Sequence, residues 1–560
     1  MKHQWRYIFI ICFVLLAIAL IITKLIHMQS FAVHQKLEQE GDNRSKRTML
    51  TRAYRGMIFD RNGKPLAVST PVDSIWVDPY FVSPTNPKFL NVLQLLKLSE
   101  TKKARIIQRV KNGQGHSGFI YLKRQVAPLI SEKIKALDIK GVNIDREFKR
   151  FYPDAEITSH IIGFTDIDGN GQEGTELQYN DYLTGKDGKR SIHRDLKGGV
   201  AQKNTDDMPL QNGQDIYLSI DRKVQYIAYK YLKEGVINNN ATAGSALIVD
   251  VETGEILAMV NYPAYNPNNM QDAVPEKRRN RVLTDVYEPG SVMKPFAAIT
   301  ALKSGKYDVD TVVDTSPGYY RLKGNPVRDY RNYGEMDLRH ILMKSSNVGI
   351  SRIILSLNAN ALAETLREFG FGRVSGIDFP GERSGYVPSP HKWGDFPLAT
   401  LSFGYSMNAT PLQLAQAYTA IANGGKLIRP TLLKTNEKEI EAFEVINQQI
   451  SKKMLDMLTS VVEGTGGTAS KAKIKQYHVA GKTGTTKKAI AGGYAANNYI
   501  ATFVGIAPAS NPKIVTVVVI DDPKGQAYGG GSAAAPVFVK ITEHVLRVLG
   551  IPADKIQPKK

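Results

Sequence analysis

The chain has 560 residues, enough for about two or three domains with a substantial buried core. Its formal net charge is +20, but the 73 lysines and arginines are mixed with 53 acidic residues along the chain. Without a phosphate loop, zinc spacing or RNA-binding signature, this pattern predicts no nucleic-acid partner. The single cysteine, Cys12, excludes an intrachain disulfide and any metal site built on several thiols. We predict no metal and no cofactor.

The N-terminus carries one long apolar run, centred on residues 8–22. With its apolar flanks it reaches about 20 residues, or roughly 30 Å of helix, which is the thickness of a bilayer core. A cleaved signal peptide is the alternative, since Ala-Ile-Ala at 17–19 imitates a processing site, but the apolar run continues past it. Basic residues lie on both sides, so charge counting does not orient the segment. We predict an uncleaved single-pass anchor.

The next third of the chain contains short, irregular elements. Residues 57–68 predict a β-hairpin around an Asn62-Gly63 turn, and residues 91–137 show helical periodicity. The glycine-rich acidic stretch 171–176 lacks the register of an EF-hand, which favours a turn before a helix over a calcium site. The polar, turn-rich segment 195–212 is a candidate domain boundary.

From Asp221 onward the pattern becomes that of an α+β domain. Two mostly apolar hairpins are predicted, and helices are predicted before, between and after them. Hairpins and helices in this arrangement favour an antiparallel sheet with helices packed on it. The predicted elements are a helix capped by Asp221, a hairpin over 245–260, a helix over 411–422 capped by Thr410, a hairpin over 499–520 and a helix over 536–549.

The segment from Glu288 to Thr300 is the strongest candidate for chemistry. A Pro-Gly turn precedes an apolar run able to continue as a helix, which puts Ser291 and Lys294 one turn apart on one face. A hydroxyl beside an amine is the arrangement of nucleophile and base that a serine acyl-enzyme requires. Alone the pattern is weak, because it recurs at Ser99–Lys102, Ser389–Lys392, Ser470–Lys473 and Ser510–Lys513.

Two further patterns follow in order and make the prediction specific. Ser345-Ser346-Asn347 precedes a helix-like segment and offers a hydroxyl and an amide from one turn. Lys482-Thr483-Gly484-Thr485 reads as a strand whose glycine lets a substrate backbone approach closely. Ser-x-x-Lys, Ser-x-Asn and Lys-Thr-Gly in this order, in helix, loop and strand contexts, are the motifs of penicillin-interacting serine enzymes.

The chain resembles the class B penicillin-binding proteins, and most closely the septal peptidoglycan D,D-transpeptidases of Gram-negative division, the FtsI or penicillin-binding protein 3 group. Patches outside the three motifs add to this resemblance. They are Arg55-Gly56-x-Ile58-x-Asp60-Arg61-x-Gly63, Gly171-x-Glu173-Gly174-x-Glu176, Tyr265-Asn266-Pro267-Asn268-Asn269 and Glu288-Pro289-Gly290-Ser291.

The resemblance implies three segments. Residues 1–30 would form a cytoplasmic tip and transmembrane anchor, residues 31–220 an elongated pedestal, and residues 221–560 a catalytic domain with the fold of penicillin-binding transpeptidases and serine β-lactamases. The protein would then be a single-pass protein of the inner membrane with its catalytic domain in the periplasm.

The resemblance also implies roles for the acyl-transfer residues. Ser291 would attack the penultimate D-Ala of a D-Ala-D-Ala stem peptide, with Lys294 as its base. A lysine with an ordinary pKa is protonated at pH 7, so burial or a nearby cation such as Lys482 has to lower its pKa by about 3 units. Ser345 would relay a proton to the leaving amine, and Asn347 would hold Lys294 and the substrate amide.

A second set of residues would bind the substrate. The backbone amides of Ser291 and Thr485 would form the oxyanion hole. The hydroxyls of Thr483 and Thr485 would hold the terminal carboxylate beside Lys482, on a strand in which Gly484 admits the substrate backbone.

The family implies partners and leaves alternatives. Its partners are peptidoglycan stem peptides as donor and acceptor, β-lactams that acylate the same serine, a membrane glycosyltransferase of the FtsW kind and other division proteins. A β-lactamase would hydrolyse the acyl-enzyme quickly, and a D,D-carboxypeptidase would pass the acyl group to water. An inert penicillin sensor or division scaffold would keep the serine without cross-linking.

Overall fold

The computed structural model describes residues 4–29, 35, 46–116, 118–194, 200–389, 394–435, 440–525 and 528–555. The first part of the predicted domain boundary, residues 195–199, lies outside this range. The N-terminal apolar run forms one helix, Gln4–Gln29, with exposed side chains. Its stretch Gln4–Met28 is apolar enough and long enough to cross a membrane, as the sequence predicts.

The N-terminal region, residues 46–217, contains two small sheets. The strands are β1 Lys46–Thr51, β2 Ile58–Phe59, β3 Pro65–Val77, β4 Ile120–Val126, β5 Val142–Phe151, β6 Gly188–Arg194, β7 Val200–Met208 and β8 Ile216–Tyr217. One sheet has the order β4-β3-β2-β8, with β5 also paired to β3, and the other has the order β1-β6-β7. The helices are Pro87–Leu95, Glu100–Asn112, Pro128–Lys135, Ala155–Ile157 (a 3₁₀ turn), Ser159–Ile162, Gly174–Gln178 and Asn180–Leu183.

Two sequence predictions for this region have different outcomes. The hairpin over 57–68 is confirmed as β2 and β3; the Asp60 carboxylate accepts from the backbone N–H groups of Asn62 and Lys64, and Gly63 takes a positive φ of 74°. Continuous helical periodicity over 91–137 is wrong in part, because β4 occupies 120–126. There the alternation of buried Ile120 and Leu122 with exposed neighbours has the period of a strand.

The C-terminal region, residues 218–555, is built on a five-stranded antiparallel sheet of order β10-β9-β19-β18-β17. Its strands are β9 Ala243–Asp250, β10 Ile256–Tyr262, β17 Ala480–Ile490, β18 Gly493–Ala507 and β19 Ile514–Asp521. Three two-stranded ribbons complete the region: β11 Val313–Asp314 with β14 Glu335–Met336, β12 Tyr319–Leu322 with β13 Asn325–Arg328, and β15 Lys426–Ile428 with β16 Ala442–Glu444.

Helices cover this sheet. The helices Arg222–Asn238 and Ala535–Val548 pack on each other and on the sheet, and Pro411–Ala422 packs on β9 and β19. The other helices are Pro275–Arg278, Arg281–Thr284, Lys294–Lys303, Leu338–Lys344, Asn347–Leu355, Ala359–Glu368, Asp395–Leu401 and Gln448–Glu463, with 3₁₀ turns at Met270–Asp272, Gly290–Met293 and Ser470–Ala472 and a π-turn at Gly530–Ala534.

Burial and capping explain this architecture. All but the last residue of β9 and of β19 are buried, which matches strands covered on both faces. The Asp221 side chain caps the helix Arg222–Asn238 by accepting from the backbone N–H groups of Lys223 and Val224. Thr410 and Gln413 form a capping box at the start of the helix Pro411–Ala422. The predicted α+β fold, its two hairpins and its capped helices are therefore confirmed.

The two regions are joined by polar contacts. Asn268, in one of the segments that carry the family resemblance, donates to the Tyr152 carbonyl at 2.8 Å and accepts from the Tyr152 N–H at 3.0 Å. An Arg61–Glu255 ion pair of 3.0 Å crosses the same boundary. These contacts join the C-terminal region to the N-terminal region.

Candidate active site

A tight turn holds Ser291 beside the second and third motifs. The 3₁₀ turn Gly290–Met293 leads directly into the helix Lys294–Lys303, so the α-helix begins at the lysine rather than at the serine. Gly290 has a φ of +64°, which suits glycine. Ser291 is half-buried, Lys294 is fully buried, and the Lys294 Nζ lies 3.0 Å from the Ser291 Oγ. The predicted pairing of hydroxyl and amine is present.

The Lys294 Nζ is surrounded by oxygen atoms from the second motif. It lies 3.0 Å from the Ser345 Oγ, 2.5 Å from the Ser345 carbonyl oxygen and 2.7 Å from the Asn347 Oδ1. The Lys482 Nζ lies 3.0 Å from the same Ser345 hydroxyl. One serine hydroxyl therefore bridges the two buried amines.

The backbone of the second motif is shaped for this contact. The helix Leu338–Lys344 ends at Ser345, which has a left-handed conformation with φ +57°. Such a conformation is uncommon for a residue with a side chain and concentrates at functional sites. The helix Asn347–Leu355 starts two residues later, with Ser346 as its N-cap. The chain reversal between the two helices brings Ser345 and Asn347 to the same lysine.

The third motif lies on β17, which runs beside the 3₁₀ turn Gly290–Met293. We call this turn the nucleophile turn, after the predicted role of Ser291. Lys482 is fully buried, whereas Thr483 is half-buried and Thr485 is exposed. Because side chains alternate along a strand, the two threonines share one face. A Cβ on Gly484 would lie 2.7 Å from the Pro289 carbonyl oxygen, so this glycine allows β17 to pack against the turn. That packing is a reason for glycine that the sequence did not suggest.

Burial controls the charge of both lysines. Loss of hydration lowers the pKa of Lys294 well below its ordinary value, and the positive charge of Lys482 lowers it further, while Asp329 opposes the shift. Burial lowers the pKa of Lys482 to about 7. These shifts favour the unprotonated form of the Lys294 amine beside the Ser291 hydroxyl, which is the form that can accept a proton.

The other Ser-x-x-Lys patterns have different surroundings. Ser99 caps the helix Glu100–Asn112, and the Ser510 hydroxyl donates to the Asp554 carboxylate at 2.6 Å. Ser470 is exposed in a 3₁₀ turn, and Lys392 of the pair with Ser389 lies outside the described residues. Among the Ser-x-x-Lys pairs that the structure describes in full, only Ser291 and Lys294 have the lysine nitrogen within hydrogen-bond distance of the serine hydroxyl.

Some residues of the site were missed by the sequence analysis. Asp329 accepts from the backbone N–H groups of Asn347 and Val348 at 2.5 and 3.0 Å. The Gly530 N–H donates to the Thr485 Oγ1 at 2.9 Å. The Tyr418 hydroxyl donates to a carbonyl of the nucleophile turn. No local motif marks these residues, since each is brought to the site only by the tertiary fold.

Comparisons with known proteins agree over nearly the whole chain. A model of the penicillin-binding protein transpeptidase domain matches residues 244–543, and a model of the penicillin-binding protein dimerisation domain matches residues 50–218. A probable peptidoglycan D,D-transpeptidase PbpC from Pseudomonas aeruginosa is 40% identical, covering 99% of this chain and 97% of that protein. The peptidoglycan D,D-transpeptidase FtsI of Escherichia coli K12 is also 40% identical, covering 99% and 93%.

A solved structure shows the same likeness. The transpeptidase domain of penicillin-binding protein 3 from Burkholderia pseudomallei matches with a TM-score of 0.56 and 38% identity, covering 60% of this chain and 98% of that chain. Two domain models that together span most of the chain, and relatives that align along its full length, are sufficient to assign the family. The chain belongs to the penicillin-binding protein transpeptidases, and it has the dimerisation and transpeptidase domains of the class B members.

Proposed function

We propose that this protein cross-links peptidoglycan as a serine D,D-transpeptidase of septal cell-wall synthesis. The observation that carries the proposal is the contact of 3.0 Å between the Ser291 hydroxyl and the buried amine of Lys294, whose pKa is lowered by burial and by Lys482. A hydroxyl so placed loses its proton as it attacks an acyl carbon. The names of the full-length relatives supply the substrate class.

The first half-reaction forms an ester. The Ser291 Oγ attacks the carbonyl carbon of the penultimate D-Ala while Lys294 accepts the hydroxyl proton. The C–N bond to the terminal D-Ala then breaks, and the Ser345 hydroxyl, which lies between Lys294 and Lys482, passes a proton to the leaving amine. Asn347 holds the Lys294 amine through its Oδ1 and presents an amide to the stem peptide.

The second half-reaction transfers the acyl group to an amine of a neighbouring stem. The amine attacks the ester carbon and gives its proton to Lys294 through the same relay. As the C–O bond to Ser291 breaks, Lys294 returns a proton to the Ser291 oxygen, so one D-Ala has left for each new peptide bond.

Backbone and hydroxyl groups stabilise the intermediates. In this proposal the amide N–H groups of Ser291 and Thr485 donate to the oxyanion, each worth about 3 kcal/mol in the transition state. The hydroxyls of Thr483 and Thr485 and the Lys482 ammonium hold the terminal carboxylate of the donor. Gly484 keeps their strand against the nucleophile turn.

The N-terminal helix fits the location of this reaction. We infer an inner-membrane anchor within residues 1–30, a pedestal over 31–220 and a catalytic domain over 221–560 in the periplasm, where the cell wall is built. A membrane glycosyltransferase of the FtsW kind and other division proteins are the proposed partners, since new glycan strands have to be supplied where they are cross-linked.

Covalent labelling tests the nucleophile. Full-length protein treated with a fluorescent penicillin is expected to be labelled, and Ser291→Ala is expected to abolish the label while the folded state persists. Ser470→Ala is the matched control, because it removes an exposed serine from another Ser-x-x-Lys pattern. Undiminished labelling of Ser291→Ala, or loss of the label in Ser470→Ala, would contradict the assignment.

Product analysis tests the fate of the acyl group. Stem peptides incubated with the enzyme and its membrane partners are expected to yield cross-linked dimers and free D-Ala, and the penicillin adduct is expected to persist. Release of D-Ala without dimers would indicate a carboxypeptidase. Rapid hydrolysis of the penicillin would indicate a β-lactamase, and labelling without any D-Ala release would indicate a sensor or scaffold.

A further inference from the structure

The helix that carries Asn347 has an unusual second cap, supplied by another part of the chain. Ser346 already caps it by accepting from the Gly349 N–H at 2.8 Å. The Asp329 carboxylate adds three contacts: it accepts from the N–H groups of Asn347 and Val348 at 2.5 and 3.0 Å and from the Ser346 hydroxyl at 2.5 Å. Both carboxylate oxygens are therefore committed to the first turn of this helix.

The residue before Asp329 orients the side-chain amide of Asn347. The Asn347 Nδ2 donates to the Arg328 carbonyl at 2.9 Å. Because an amide has donors on one side and an acceptor on the other, this bond turns the Asn347 Oδ1 toward the Lys294 Nζ, 2.7 Å away. Arg328 ends β13, so the β12–β13 ribbon and the Asn347 helix are fastened together at this point.

We propose that Asp329 is a positioning residue for the serine chemistry, which orients Asn347 and, through it, the Lys294 amine. The inference rests on the proposed function, since it assigns Asp329 to the same reaction. Asp329 does not contact the Ser291 hydroxyl in the structure. It acts through Asn347 by geometry and through its negative charge on the amine.

The charge acts in a direction that can be measured. Asp329 raises the pKa of Lys294, against the lowering by burial and by Lys482. Its carboxylate also faces the phenols of Tyr320 and Tyr333, whose pKa values lie above their ordinary value mainly through burial, with Arg352 and Arg331 beside them. These phenols stay neutral below pH 9, so the charges acting on Lys294 over that range are those of Asp329 and, below its pKa of about 7, of Lys482.

Two substitutions separate geometry from charge. Asp329→Asn keeps an oxygen for the two backbone N–H groups and removes the negative charge, whereas Asp329→Ala removes both. For Asp329→Asn we expect a plateau rate of β-lactam acylation within a few-fold of wild type and an acid limb of the pH profile that moves to lower pH. For Asp329→Ala we expect acylation about 100-fold slower across pH 5 to 9.

The neighbouring helix supplies a matched control. Asp337 caps Leu338–Lys344 by accepting from the His340 N–H at 2.7 Å, and its side chain contacts none of the motif residues in the part of the chain that the structure describes. Asp337→Ala is expected to lower the melting temperature by an amount similar to Asp329→Ala and to leave acylation unchanged. Full-length protein in detergent is used for all variants.

The outcomes are distinguishable. Acylation of Asp329→Ala at the wild-type rate overturns the inference, and so does an Asp329→Asn profile whose acid limb stays in place. Equal slowing by Asp337→Ala would show a structural effect only, which also overturns it. Failure of the proposed function would appear separately, as absence of Ser291-dependent labelling in the wild-type protein.

Discussion

The candidate active site and the interior of the N-terminal region each bury two basic side chains. In the candidate active site these are Lys294 and Lys482, both fully buried, and their contacts are with hydroxyl, amide and carbonyl oxygens. In the N-terminal region they are Arg55 and Arg150, whose Nε atoms each lie 2.6 Å from one oxygen of the fully buried Glu176 carboxylate. Among the described residues, no carboxylate contacts either lysine directly, whereas both arginines contact the same carboxylate.

The difference follows from what each side chain can do with its proton. A guanidinium keeps its charge at every accessible pH, so burying it requires a counterion, and Glu176 provides one for two arginines. An ammonium can lose its proton, so burial without a counterion produces a neutral amine. The same physical cost therefore yields a structural clamp in one region and, under the proposed function, a base in the other.

Removing the ability of Lys294 to become neutral is the largest test of this comparison. Lys294→Arg keeps a cation in the same place but cannot accept the Ser291 proton, so acylation by a β-lactam is expected to fall about 100- to 10,000-fold. The rate is measured by rapid-mixing fluorescence with the full-length protein. Lys303→Arg, at the far end of the same helix and partly exposed, is the control and is expected to acylate normally. A Lys294→Arg rate near that of wild type would mean that another group is the base.

Removing the carboxylate of Glu176 tests its role as the counterion of the two buried arginines. Glu176→Gln leaves two buried guanidinium groups without a counterion, and the free energy of unfolding is expected to fall by about 3 to 5 kcal/mol. Urea unfolding followed by fluorescence measures this, and acylation of the folded fraction is expected to be unchanged. Glu100→Gln, which breaks an exposed ion pair with Lys103, is the control, and its free energy of unfolding is expected to fall by about 0 to 1 kcal/mol. Equal losses of unfolding free energy in the two variants would contradict the role of Glu176 as a shared counterion.

The sequence predicted the parts of the site that local motifs encode. Ser291, Lys294, Ser345, Asn347 and Lys482 were singled out from three short patterns, and the structure brings their side chains together. Hairpins and capped helices were also predictable, because turn residues and caps act over a few positions. The choice of Ser291–Lys294 among five Ser-x-x-Lys matches depends on the order of the three motifs along the chain and not on the pattern itself.

What the sequence could not give are contacts set by the fold. Arg55 and Glu176 lie in two separate segments that resemble the family, and nothing in either shows that they form one ion pair. Asp329 follows a short ribbon with no motif of its own. The helical periodicity assigned over 91–137 failed at β4, where a two-residue alternation was hidden inside a longer helical pattern.

The smallest expected effect concerns the pH dependence of the free energy of unfolding. It distinguishes a buried lysine that is neutral in the folded protein from one that keeps its charge beside a counterion. Burial lowers the pKa of Lys482 to about 7 from an ordinary value of 10.5, so between these values the unfolded chain binds more protons than the folded one. Stability should therefore rise with pH in that window, by up to about 1.4 kcal/mol per pH unit from this group.

Urea unfolding of full-length protein at pH 7 and pH 8.5 tests the sign of this effect. Wild type is expected to gain about 1 to 2 kcal/mol more than Lys482→Met over this interval, because methionine has no proton to release. Lys294 acts in the same direction in both proteins, because burial is the larger cause of its lowered pKa and does not depend on Lys482. Lys475→Met, at an exposed position, should follow wild type. Equal gains in wild type and Lys482→Met would mean that Lys482 is paired or hydrated in the folded protein, and the contrast with the arginine clamp would then hold for Lys294 alone.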